Sequence, residues 1–323
     1  MMNQEKTIEQ KYIDQVAEMR AIKSTRQLSP NTTKDYISAY RKLKFILGED
    51  ITLYFNDYEG NKAKLEEYGL KPSRIRNLFN AYINLMYAHN VPDETTSKYK
   101  AFLKSHQVAY QESQKSNQLT SPSQIENMIT YGELLDYISK LKNMEQSTDI
   151  QQVLLILEIS KWRPYRINEF ANMIVIDKKD IDKLTDDEKN AHNWLVKVGW
   201  DFYFHFKQYE TTKQRPTYIQ PIPKPLAKII RKYIKVQEIP IKGTLWQRTL
   251  FGTTSPEYLS QKMLKVSEDV IGKRVGSAIL RKVIVSHKYQ ATKDQTQEQE
   301  AFAKSIGHSL QVENLIYNKD IGE

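Results

Sequence analysis

Between Ser105 and Asn127 the chain loses its apolar periodicity and becomes a run rich in Gln, Ser and Asn, with Pro122 near its end. This break constrains the fold more than any other feature, because so polar a stretch has too little apolar surface to join a core. Strong apolar patterns lie on both sides of it, and 323 residues are enough for two separate cores. The division read from the sequence is an N-terminal arm or charged helix at 1–26, a helical domain at 27–105, a linker at 106–129 and a larger domain at 130–323.

In the first domain, Ser29-Pro30 provides an N-cap followed by proline at the first helical position. The helix it opens carries Tyr36, Tyr40, Leu43 and Leu47 on one stripe, with Lys34, Arg41, Lys42 and Lys44 largely off it. A second helix begins at Pro72-Ser73 and lines up Ile75, Leu78, Phe79, Tyr82, Ile83 and Met86, with Arg74 and Arg76 near its start. A third stretch interleaves Lys98, Lys100 and Lys104 with Tyr99 and Phe102.

The second domain opens on Thr130 with Glu133 three residues later, a capping-box spacing. A long apolar helix from Ile150 to Ile159 is interrupted at Pro164. Between Trp194 and Ile222 the pattern becomes that of strands: Trp194 to Val198, Phe202 to Phe206, a turn over Gln208 to Thr212, and a return at Thr217 to Pro221. Helical patterns resume at Pro225. The expected class is mainly α with a small antiparallel sheet.

Lys and Arg number 48 against 39 Asp and Glu, giving +9 and a pI of about 9.2. Such an excess favours a polyanionic partner, since bound cations release the counterions condensed on nucleic-acid phosphates. The absence of cysteine excludes disulfides, thiol catalysis and Cys-ligated zinc. No apolar run approaches the ~20 residues of a membrane span, and the polar N-terminus has no signal-peptide character. An intracellular location, cytoplasmic or nuclear, is expected, with no membrane partner.

Taken singly, the candidate site residues are weak signals. Arg166 and Glu169 form an Arg-x-x-Glu pair of the kind that usually decorates a solvated helix face. Arg281, flanked by apolar residues, reads first as a packed structural arginine. Lys207 and Lys213 bracket a hairpin turn, where lysines are normally solvated. His308 follows Gly307, and Tyr317 lies nine residues beyond that histidine. Two arginines on one phosphate, a lysine to protonate a leaving oxygen and a tyrosine nucleophile would together make a phosphoryl-transfer site.

The order Arg-x-x-Glu, hairpin lysine, Leu-Arg in an apolar helix, and Gly-His with tyrosine nine residues on resembles the catalytic domain of the tyrosine recombinase (phage integrase) family. The resemblance covers 130–323, and more loosely 27–105 is similar to that family's helical core-binding domain. It implies Tyr317 as nucleophile, Arg166 and Arg281 as phosphate clamp, His308 as hydrogen-bonding histidine and Glu169 as a structural partner. Either Lys207 or Lys213 would be the general acid, with Lys207 the narrow preference because it ends the outgoing strand. The implied activity is site-specific DNA cleavage and religation through a 3′-phosphotyrosyl intermediate, without metal, ATP or other cofactor, as in integrases of viruses and mobile elements. The implied partners are double-stranded DNA and further copies of the chain, assembled as a tetramer.

Lys34, Arg41, Lys42, Lys44, Arg74, Arg76, Lys98, Lys100 and Lys104 would then supply sequence-independent DNA contacts. Two departures stand out. Ala278 occupies the position, three residues before the second arginine, where such enzymes carry histidine or lysine, with Ser277, Lys273 or His287 as conceivable substitutes. Only six residues follow Tyr317, which leaves truncation or a different mode of assembly as expectations. The alternatives are a catalytically impaired DNA-binding protein of the same fold and a type IB topoisomerase-like or resolvase activity.

Overall fold

Proline at a first helical turn and a polar side chain just ahead of it set many of the helix starts, because neither position needs an intrahelical N–H partner. The computed structural model describes residues 13–14, 30–115, 122–207, 218–241, 246–291, 299 and 303, which fall into two units, 1–115 and 116–323. The expected arm at 1–26 therefore lies almost wholly outside the described residues, as do Lys213, His308 and Tyr317.

The first unit consists of α1 (Pro30–Leu47), a 3₁₀ turn (Ile51–Tyr54), α2 (Tyr58–Glu67), α3 (Pro72–Ala88) and α4 (Asp93–Lys115). The stripes read from the sequence form its core: Tyr36, Tyr40 and Leu43 from α1 meet Ile75, Leu78, Phe79, Tyr82 and Met86 from α3, with Tyr99 from α4. Asn61 is fully buried at its centre, donating to the Tyr54 carbonyl at 2.7 Å and to the Tyr99 hydroxyl at 2.8 Å. The Tyr99 hydroxyl donates in turn to the Phe55 carbonyl at 3.2 Å, which links Asn61, Tyr99 and the backbone of residues 54–55.

The stretch read as linker, 106–129, includes helical residues. Helix α4 continues to Lys115, and α5 occupies Pro122–Asn127. Gln, Glu and Lys are good helix formers, so a polar run extends a helix that apolar residues have already nucleated and docked.

The second unit holds α6 (Tyr131–Asn143), α7 (Thr148–Trp162), α8 (Ile167–Ala171), β1 (Met173–Asp177), α9 (Lys178–Ile181), α10 (Asp186–Ala191), β2 (Asn193–Val198), β3 (Asp201–Phe206), β4 (Tyr218–Pro221), α11 (Lys224–Val236), a 3₁₀ turn (Trp246–Arg248), α12 (Pro256–Ile271) and α13 (Ser277–Ala291). Thr130 and Glu133 close the capping box expected at the start of α6, at 3.1 and 2.7 Å. The sheet runs β1-β2-β3-β4 and is mixed: β1 pairs parallel with β2, and the remaining pairs are antiparallel. The antiparallel part is as expected, and β1 is an addition that the sequence pattern hid.

The reason lies in burial. Met173 and Val175 face the main core, whereas Ile174 and Ile176 join Trp194, Val196 and Ile181 in a smaller cluster on the opposite face. A strand covered on both faces shows no alternation to read. Strand β3 does alternate: Phe202, Phe204 and Phe206 point into the core, and Tyr203 and His205 are half-exposed. No described helix is long and apolar enough to cross a membrane.

Candidate active site

Helix α7 ends at Trp162 because Pro164 cannot continue it, and the residue before a proline is forced extended; Arg163 has φ −146° and ψ 118°. The chain stays extended to Arg166, the N-cap of α8. Arg166 thus stands just ahead of the helix and not on it, which adjusts the expected one-turn pairing with Glu169. The buried Glu169 carboxylate accepts the Arg166 backbone N–H at 3.1 Å and lies 3.9 Å from its guanidinium. It therefore fixes the arginine's backbone and places a carboxylate near its guanidinium.

Two other candidates meet this same short segment. The buried Arg281 of α13 donates from Nε to the Pro164 carbonyl at 2.9 Å, two residues before Arg166. Lys207 directly follows β3, and its backbone N–H donates to Asn193 Oδ1 at 2.8 Å. Asn193 is fully buried, and its amide donates to the Glu169 carbonyl at 3.0 Å. One asparagine thus ties the end of β3 to α8. Ring packing reinforces the tie: Tyr165 lies 4.8 Å from Phe206 and 5.8 Å from Phe170 between ring centres. Arg166 and Arg281, distant in sequence, both bond to residues 164–169, and the Lys207 backbone is tied to the same segment through Asn193.

His205 shares the outward side of β3 with Lys207. Burial, and then the Lys207 charge, push its imidazole down to about 4, so at neutral pH it adds no second positive charge beside the lysine. On α13, Lys288 donates to the Trp162 carbonyl at 2.9 Å, one of the carbonyls that the end of α7 leaves without a helical partner. Burial, and then the nearby Arg163, bring the Lys288 ammonium down to about 8. The Arg163 guanidinium lies 5.1 Å from the Trp162 ring centre. Asn193, Arg163 and Lys288 were not singled out from the sequence. The basic character of Arg163 beside Arg166 was legible there, whereas Asn193 acquires meaning only once β1 and β2 are paired.

The position read as departing from the recombinase pattern, Ala278, is exposed near the start of α13. Two of its conceivable substitutes are engaged in holding residues 128–133. Lys273 donates to the Met128 carbonyl at 2.8 Å and pairs with Glu133 at 3.4 Å. His287 stacks on Tyr131 with ring centres 3.8 Å apart and an interplanar angle of 4°.

In the first unit, several of the nine expected DNA-contacting cations have intramolecular partners. Lys42 lies 4.0 Å from the Tyr68 ring centre, Lys44 pairs with Glu49 at 3.2 Å, and Lys100 pairs with Asp93 at 2.8 Å. Arg76 is half-buried and donates to Asn77 at 3.2 Å. Lys34, Arg41, Arg74, Lys98 and Lys104 are exposed.

No protein-family model matches the chain, and no curated protein matches its sequence. Among solved structures it is similar to XerA recombinase, with 13% identity over 97% of this chain and 94% of that one and a TM-score of 0.41. It is also similar to the XerH site-specific recombinase bound to difH substrate in a pre-cleavage complex, with 13% identity over 96% of this chain and 91% of that one and a TM-score of 0.43. The post-cleavage complex of XerH with palindromic difH gives 13% identity over 94% and 90%, again with a TM-score of 0.43.

Proposed function

We propose that this chain cuts and rejoins duplex DNA through Tyr317, as a site-specific recombinase of the tyrosine type. The observation that carries the reading is the bonding of Arg166 and Arg281 to one segment to which the Lys207 backbone is tied through Asn193, since these are the residues that the ordered motifs pick out. In this reading the two guanidinium groups converge on a phosphate, whose equatorial oxygens gain negative charge as the attacking oxygen arrives. In this reading the Tyr317 oxygen attacks phosphorus in line and a 3′-phosphotyrosyl bond forms. The 5′-oxygen leaves with a proton from Lys207. Arg166, Arg281 and His308 stabilise the charge, and the phosphotyrosyl bond conserves the energy for religation, so no ATP enters the cycle. Exchange between two duplexes uses one copy per cut strand, hence a homotetramer on paired sites.

A second reading, a DNA-binding protein of this fold without strand cleavage, is favoured by Ala278 together with the engagement of Lys273 and His287 elsewhere. A suicide duplex nicked beside the scissile phosphate separates the two. The full-length chain should become covalently joined to the 3′ end of the DNA, and Tyr317→Phe should abolish the adduct while retaining duplex binding. Equal adduct from wild type and Tyr317→Phe would reject the nucleophile, and no adduct from either, with duplex binding intact, would leave the second reading. Joint-molecule products from two duplexes distinguish recombination from topoisomerase-like relaxation.

A further inference from the structure

Helix α11 carries Lys224, Lys228, Arg231, Lys232 and Lys235 and no acidic residue. At about 100° per residue the five fall within an arc of about 100°, recurring every three to four residues or about 5–6 Å along the axis. Leu226, Ala227, Ile230 and Tyr233 occupy the buried side. The four lysines are exposed and Arg231 is half-buried. Among the described residues none of the five forms an ion pair, and neither Asp201 nor Glu238, the carboxylates nearest in sequence to this surface, pairs with any of them.

Beside this stripe, the turn between β2 and β3 presents Trp200, which is 79% exposed. Gly199, at φ +59°, supplies the left-handed backbone that the turn requires. The Arg231 guanidinium lies 5.0 Å from the Trp200 ring centre and 5.9 Å from that of Phe202, and it donates to the Trp200 carbonyl. Lys197, Trp200, Phe202, Arg231 and Lys235 line a groove of about 350 Å³. Trp200 and Lys207 flank opposite ends of β3, about 20 Å apart at the rise of an extended strand.

A solvated helix face ordinarily interleaves acids with bases, and a lone indole in water gains nothing from its exposure. A row of unpaired cations ending at an exposed, arginine-held aromatic ring matches what single-stranded nucleic acid offers, phosphates in series and a free base face. A duplex keeps its base faces stacked, and an acidic peptide would give Trp200 nothing to stack on. We infer that α11 and Trp200 form a second nucleic-acid site, separate from the proposed cleavage site, that binds single-stranded DNA with phosphates along the lysines and a base on the indole. The inference does not depend on Tyr317 chemistry.

The test uses the full-length chain and a fluorescent oligothymidylate of about 16 nucleotides, the upper end of such site sizes, read by anisotropy across a salt series. Trp200→Ala should weaken binding about 10-fold, within the range of one base–aromatic stack. Replacing the exposed Lys228, Lys232 and Lys235 together by Gln should lower the slope of log affinity against log salt by about 2, at about 0.7 per cation on a single strand. Neither change should alter duplex binding by more than about twofold. Unchanged oligothymidylate binding, a parallel loss of duplex binding, or polyglutamate competing as well as the oligonucleotide would each overturn the site.

Discussion

Arg281 is buried and bonded to a backbone carbonyl, whereas Lys228, Lys232 and Lys235 stand in solvent on a helix face that holds no acid. Both regions belong to the second unit, and both are basic. The difference lies in how far each cation is fixed before a ligand arrives. At residues 164–169 a backbone carbonyl holds the Arg281 guanidinium and a carboxylate lies beside Arg166, so less ordering remains to be done in a transition state. On α11 the ammonium groups keep their hydration and rotamer freedom, which suits contact with a chain whose sequence and exact position vary. Buried, oriented charge favours chemistry, and exposed, unpaired charge favours retention.

The sharpest way to break the comparison is at Arg281. Arg281→Ala removes a guanidinium from the proposed phosphate clamp and should reduce covalent DNA trapping by about 10³-fold or more, the scale on which arginines act in phosphoryl transfer. Arg281→Lys keeps a charge but loses the planar fork, and it should recover only part of that rate. Single-turnover trapping on the suicide duplex, beside a thermal melt of each variant, separates lost chemistry from lost folding. If Arg281→Ala melts like wild type and traps DNA at an unchanged rate, its burial at Pro164 serves packing alone.

A smaller effect is expected where the fixing is indirect. Asn193→Ala leaves the Lys207 N–H and the Glu169 carbonyl without their side-chain partner in a buried place. The loss should be about 1–3 kcal/mol of stability, read from the urea midpoint. Cleavage should fall with DNA binding unchanged, because Lys207 loses its anchor while the exposed cations are untouched. An equal fall in binding and cleavage would show that the asparagine only holds the sheet together.

Much of this arrangement was written in local pattern. The stripes of α1 and α3, the capping box of α6, the strand ending just before Lys207 and the break at Pro164 each follow from the spacing of a few residues. What was hidden depends on partners far along the chain. Strand β1 reads as one more apolar run because both of its faces are covered. Asn193 is an unremarked amide until parallel pairing sets Met173 opposite it and brings α8 within reach. The helix within the polar run after Ser105 was not legible, since composition reports poor burial and not the absence of helix. The α11 stripe was visible as basic residues, but its lack of counter-charges is a property of the folded surface.

Lys288 gives the gentlest test, because it lies between the two regimes: cationic like the lysines of α11, yet partly withdrawn from water like Arg281. Burial and Arg163 bring its pKa down from 10.5 to about 8, so the fold favours its neutral form. Between about pH 8 and 10.5 the unfolded chain then binds more protons at this group than the folded chain does, and its contribution to stability rises with pH across that window. Below pH 8 the lysine is charged in both states and the contribution is flat. Lys288→Met should remove the rise, so the urea-midpoint difference between wild type and variant should move in favour of wild type from pH 8 to 10.5. A difference that stays constant across that range would mean that Lys288 is hydrated and fully charged in the fold. It would then belong with the lysines of α11 and not with the residues fastened around 164–169.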